Sequence, residues 1–98
     1  MWRHGDVLIA STTSIPAAAN LRPGTVLAYG EITGHSHRVH DPHSAEVWEH
    51  GGMLFLKVSA DSATVVHEEH QPITLLRGLY RVWMQREYTP QAIRRITD

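Results

Sequence analysis

The stretch Ala45-Glu46-Val47-Trp48-Glu49-His50-Gly51-Gly52-Met53-Leu54-Phe55-Leu56-Lys57-Val58 decides the fold class. Residues 45–49 alternate between apolar and polar side chains, which is typical of a β-strand with one buried face. Gly51-Gly52 is a strong signal for a two-residue hairpin turn. Residues 53–58 are apolar on both faces, as expected of a central strand. The stretch therefore predicts an antiparallel β-hairpin.

Short apolar runs between turn residues continue on both sides of this hairpin. Residues 11–23 have the composition of a loop, and Arg77-Gly78 predicts the turn of a final hairpin. Thr89-Pro90 is typical of the cap and first position of a short C-terminal helix. The predicted strands are, in chain order, 7–10, 25–32, 35–40, 45–49, 53–58, 63–66, 73–76 and 79–88. We therefore expect an all-β chain, a single small antiparallel β-barrel or sandwich of about seven or eight strands, as one domain over residues 1–98.

The composition limits the classes of function. The chain has 98 residues, a formal net charge of −1 and no cysteine. The near-neutral charge provides no overall attraction to nucleic acid or to an anionic membrane. The lack of cysteine excludes disulfides and thiolate metal sites. The first residues become polar too early for a signal peptide, and no apolar run is long enough to span a membrane, so we expect a cytoplasmic protein without a membrane partner.

Histidine is the residue type that points to chemistry. Four of the eight histidines form two clusters, His35-Ser36-His37 after Gly34 and His67-Glu68-Glu69-His70. In a strand, His35 and His37 share one face, and a turn toward Pro72 lets His67 and His70 converge. Because each cluster closes a predicted strand, we expect all four imidazoles at one end of the sheet. The remaining histidines are expected at a terminus or in loops: His4, His40, His43 and His50.

The end of the last predicted strand carries a second polar group, Gln85-Arg86-Glu87-Tyr88. Arg86 and Tyr88 share one face of a strand and are expected to border the histidine site. Such a pair can orient a carboxylate or phosphate. Equally, Arg86 can clamp the structure by pairing with Glu68 or Glu69.

The order of these residues loosely resembles that of the cupin superfamily of small metal-binding β-barrels. The resembling residues are the His35-Ser36-His37 motif after a glycine, Glu46 or Glu49 on the next strand, and a later histidine, His67 or His70. The resemblance covers about the central half of the chain. It implies a barrel that holds a metal with two histidines of the first motif, a glutamate and a histidine of the second motif. The second motif here is His-Glu-Glu-His, which differs from the cupin pattern.

Three functions follow from these residues. The first is a metalloprotein in which a divalent transition metal (Zn, Fe, Mn or Ni) lies among His35, His37, His67 and His70. Glu68 or Glu69 would be ligand or general base. A metal-activated water suits hydrolysis, and iron would suit oxygen chemistry.

The second function is a metal-independent phosphodiesterase or ribonuclease, with two histidines as acid and base and Arg86 or a tyrosine such as Tyr88 stabilising the phosphorane. The third is a non-enzymatic binding or assembly module. The partners expected across these readings are a small-molecule or anionic substrate, RNA, or further copies of the chain in a homo-oligomer.

Overall fold

A computed structural model of the chain describes residues 1–29 and 34–85. These residues form eight β-strands and no helix. The predicted C-terminal helix lies outside the described residues. The strands are β1 (Trp2–His4), β2 (Val7–Ser11), β3 (Asn20–Arg22), β4 (Val26–Tyr29), β5 (Ser36–Val39), β6 (Ala45–His50), β7 (Met53–Val66) and β8 (Ile73–Met84).

The predicted central hairpin is confirmed as β6 and β7. His50 lies opposite Met53, and the register continues to Ala45 opposite Val58. Gly51 and Gly52 both have positive φ, 58° and 80°, which is the pattern of a type I′ turn. Only glycine adopts two such conformations in a row without steric cost.

The prediction of two short strands after this turn, and of a hairpin at Arg77-Gly78, is wrong. β7 and β8 are single long strands that pair from Leu54–Val82 to Val65–Ile73. The register shifts between Val58 and Ser62, where β7 contains more residues than β8. Gly78 lies opposite Val58 at this irregularity, so the glycine marks a bulge instead of a turn.

The described strands form one antiparallel sheet with the order β1-β2-β8-β7-β5-β4. β6 pairs with β7 beside this path, and β3 pairs with β6. The all-β, antiparallel class and the number of strands are therefore confirmed. The expected closed barrel is not formed by the described strands, because β1 and β4 end the path without pairing with each other. β3 was expected to be loop, but three of its residues pair with β6.

One face of the sheet carries the core. Residues that alternate along β2, β6, β7 and β8 point to the same side and are buried, which is the pattern expected of a half-buried antiparallel sheet. Nothing in residues 1–29 and 34–85 forms a helix of the length and hydropathy needed to cross a bilayer; the cytoplasmic location stays a prediction. The most buried apolar side chains are Val7, Ile9, Val47, Leu56, Val65 and Leu75.

Candidate metal centre

Five imidazoles meet at one end of the curled sheet. His4 ends β1 and His37 lies within β5, while His67 directly follows β7. His35 precedes β5, and His70 lies in the segment between β7 and β8. The ring centroids of His37 and His67 are 4.3 Å apart, and those of His67 and His70 are 4.5 Å apart. The sheet therefore brings together all four histidines of the two sequence clusters and adds His4.

Three of these rings have the spacing of a metal centre. One ligand atom each of His37, His67 and His70 lies within 4.8 Å of the others. Two imidazoles on one zinc ion are roughly 3–3.5 Å apart, because each Zn–N bond is about 2.0–2.1 Å. Modest side-chain rotations would therefore bring the three nitrogens onto one ion. His35, His67 and Glu68 form a second group that meets the same limit.

The centre is buried on one side and accessible on the other. His4, His37 and His67 are 2 %, 0 % and 6 % exposed, which is unusual for side chains that can ionise. His35 and His70 are half-buried. Solvent can therefore reach the site from the side of His35 and His70.

His4 was expected to be an ordinary terminal residue, and that prediction is wrong. Its Nδ1 lies 2.9 Å from Nδ1 of His37, a hydrogen bond between two buried rings. Burial, and then the proximity of His37, lowers the pKa of His4 to about 4, although the backbone of Gln71 opposes the shift. The available signal was Gly5-Asp6, a turn pair that places His4 at the end of a strand.

Gly5 makes room for the histidines. It is the first of the two residues that link His4 to Val7 in the β1–β2 hairpin, and its φ of 64° suits the first central position of a type II′ turn. A Cβ atom at this position would lie 2.6 Å from His70 Nε2 and 3.1 Å from His37 Cε1. No larger residue fits without displacing a ring.

His67 is held by its own loop. The backbone N–H of Glu69 donates to His67 Nδ1 at 3.0 Å, so the neutral ring carries its proton on Nε2. Binding a metal through Nε2 would break this arrangement at a cost on the order of 1 kcal/mol. Structural zinc sites gain roughly ten times as much, so the hydrogen bond does not prevent ligation.

The two glutamates of the second cluster have different surroundings. Glu68 accepts from the backbone N–H of Ser36 at 3.1 Å and from Arg38 Nη1 at 3.0 Å. The Ser36 hydrogen bond, with smaller help from Arg38, lowers the pKa of Glu68. Both oxygens of Glu68 thus clamp the loop to β5. Glu69 is 58 % exposed at its side chain, and its Oε1 lies 3.3 Å from His35 Nδ1.

One clamp of the second histidine cluster lies within the described residues. Glu68 is paired with Arg38, a contact that no sequence pattern indicated. The expected clamp by Arg86, and the expected place of Arg86 and Tyr88 beside the histidines, fall outside the described residues. Gln85 is the last described residue before them, and its backbone N–H donates to the Asp6 carbonyl at 2.8 Å. The end of β8 therefore lies beside the turn that contains Gly5.

The glutamates implied by the cupin resemblance do not lie close enough to the histidines to share a metal ion with them. Among the described residues, neither Glu46 nor Glu49 belongs to a group with metal-ligand spacing. Both lie on β6, where Glu46 pairs with Lys57 and Glu49 with Leu54. The resemblance itself stays a prediction.

Fold and site define a small antiparallel β-sheet protein with a partly buried histidine cluster. The chain belongs to the family described as a domain of unknown function, DUF8820, whose model matches residues 3–85. No curated protein and no solved structure matches the chain significantly.

We expect the metal-free protein to lose stability in acid because of His4. Its pKa falls from 6.5 when unfolded to about 4 when folded, so the unfolded chain takes up the proton first as the pH drops. The contribution is fully present above about pH 6.5 and is lost progressively toward pH 4, by about 2–3 kcal/mol. Urea unfolding at several pH values measures this slope. The slope should be shallower in His4→Asn and unchanged in His43→Asn, which alters an exposed histidine; equal slopes in all three proteins would contradict the assignment.

Proposed function

We propose that this protein is a metal-dependent hydrolase, in which His37, His67 and His70 hold one divalent transition ion that activates a water molecule. The observation that carries the proposal is the convergence of these three imidazoles within 4.8 Å. Three protein ligands leave a coordination position for water, which is the arrangement of catalytic zinc sites.

The donor set fits a transition metal. Imidazole nitrogen suits zinc, iron and nickel, and manganese when oxygen ligands contribute. A metal needs neutral imidazoles, whose nitrogen lone pair is then able to bind it. The burial of His37 and His67 keeps these nitrogens away from bulk water.

Glu69 is the better of the two carboxylates for the role of general base. Both oxygens of Glu68 already accept hydrogen bonds from β5. Breaking either hydrogen bond would weaken the attachment of the loop that carries Glu68 to this strand. Glu69 is more exposed and lies beside His35, on the accessible side of the centre. With an ion bound, Glu69 would accept a proton from the activated water, and His35 would orient the Glu69 carboxylate.

The metal-independent ribonuclease reading has less support from the geometry. Acid–base cleavage needs two imidazoles that can both reach the phosphodiester. His37 and His67 are almost fully buried, so acid–base cleavage would have to use the half-buried His35 and His70 and would leave the buried pair of rings without a role. The buried rings suit an ion much better than a phosphate chain.

We expect zinc-loaded protein to hydrolyse an activated ester or phosphodiester, such as p-nitrophenyl acetate or bis(p-nitrophenyl) phosphate. EDTA should abolish the activity, and added zinc should restore it. Glu69→Gln should reduce the rate by roughly 100-fold or more, the usual contribution of a general base, without changing the metal content. Glu49→Gln, an exposed glutamate on β6, is the matched control.

Two results would count against this function. Protein that contains no tightly bound metal after incubation with zinc, nickel, manganese or ferrous iron would exclude the metal centre. If hydrolysis persisted at the full rate in EDTA, the result would favour the metal-independent mechanism instead. Metal content by elemental analysis and initial rates by absorbance provide both measurements.

A further inference from the structure

We propose that His4 is a positioning residue that directs His37 toward the metal. This inference rests on the proposed metal centre and assigns a role to a residue outside its ligand set. His4 would accept a hydrogen bond from His37 Nδ1–H, which fixes the tautomer of His37 and leaves Nε2 as the nitrogen that binds the ion.

The distances separate His4 from the ligands. Its Nδ1 is 2.9 Å from Nδ1 of His37, and its ring centroid is 5.0 Å from that of His37, 5.5 Å from that of His70 and 6.2 Å from that of His67. Within the described part of the chain, neither group with metal-ligand spacing includes His4. His4 therefore touches one ligand closely and stands further from the other two.

The chemistry of the pair gives the direction of the hydrogen bond. One proton is shared between the two Nδ1 atoms, so one ring donates and the other accepts. If His4 donated, His37 would carry its own proton on Nε2 and could not bind a metal there. If His37 donates, its Nε2 has the lone pair that ligation requires. Metal-bound histidines commonly make such a hydrogen bond through the second nitrogen, and it orients the ring.

Side chains, and not strand pairing, connect the end of β1 to β5. β1 does not pair with β5 in the described sheet, so no backbone hydrogen bond fixes the distance between His4 and His37. Gly5 follows His4 and allows the close approach of His70 and His37. The end of β1 therefore places one hydrogen-bond acceptor, His4, beside one proposed metal ligand, His37.

The test measures zinc affinity by competition with a chromophoric chelator. His4→Leu removes the acceptor and should weaken zinc binding about 10- to 100-fold, the usual effect of losing such a partner. His4→Asn supplies an amide oxygen that can accept from His37 Nδ1–H and should restore most of the affinity. His37→Gln is the reference for loss of a ligand. Thermal unfolding of the metal-free variants shows how much of each change is structural.

A second readout separates positioning from ligation. X-ray absorption of the zinc protein counts bound imidazoles, and the visible spectrum of the cobalt(II) protein reports the geometry. Positioning predicts the same imidazole number in His4→Asn as in the wild type, with a shifted cobalt spectrum in His4→Leu. Unchanged zinc affinity in His4→Leu would overturn the proposal, and so would the loss of one imidazole in His4→Asn. If the wild type itself binds no zinc, the metal centre fails and this role fails with it.

Discussion

His37→Gln is expected to lose tight zinc binding, with an affinity at least about 100-fold below that of the wild type. His37 is fully buried and belongs to the three-histidine group. It is also the ring that contacts His4. Glutamine has a similar reach and can still form hydrogen bonds, but its amide is a poor ligand for zinc.

Equilibrium dialysis followed by elemental analysis measures this loss. His43→Gln makes the same chemical change at an exposed histidine and should bind as much zinc as the wild type. Chemical denaturation of both metal-free variants checks that the fold persists. If His37→Gln bound as much zinc as the wild type, His37 would not be a metal ligand, and the proposed function would be contradicted.

Gly5→Ala is expected to have the second large effect. A non-glycine residue at φ 64° is strained by about 1–2 kcal/mol. The new Cβ would also lie 2.6 Å from His70 Nε2, so His70 must move away from the centre. We expect a loss of stability of about 2–3 kcal/mol, in which strain and displacement add, together with weaker zinc binding.

The control for this variant is Gly24→Ala. Gly24 has a similar φ of 76°, but nothing lies within 4 Å of an added Cβ. Both variants therefore carry the backbone strain, and only Gly5→Ala carries the collision with the histidines. Urea unfolding and zinc titration should show a stability loss in both and an affinity loss in Gly5→Ala alone. Equal zinc affinities would show that Gly5 does not shape the centre.

The central hairpin and the convergence of the histidine clusters were predictable because local patterns encode them. Gly51-Gly52 between two apolar runs specifies a turn regardless of the rest of the chain. The clusters end predicted strands, and in a small sheet such ends lie close together. By contrast, Gly78 carries the same turn signal as other glycines, and only its pairing opposite Val58 shows that it lies in a bulge.

His4 and Arg38 could not be found by the same reasoning. β1 contains three residues, too few to show the alternation of apolar and polar side chains that indicates a strand. Its position depends on pairing with β2. Arg38 pairs with Glu68 across 30 residues of chain, a contact set by the register of β5 and β7. Closure of a sheet into a barrel is likewise decided by long-range geometry, so strand patterns alone do not determine it.

The contact between β1 and β5 has a consequence for how the molecule responds to its surroundings. Elsewhere neighbouring strands are joined by main-chain hydrogen bonds, which form whatever the side chains are. Among the described strands, β1 and β5 have no such pairing, and His4 and His37 form a hydrogen bond between them. β1 stays paired with β2 through its main chain, whereas its contact with β5 consists of two imidazoles, so this contact is the part of the β1 attachment that a proton or a bound ion on those rings would change.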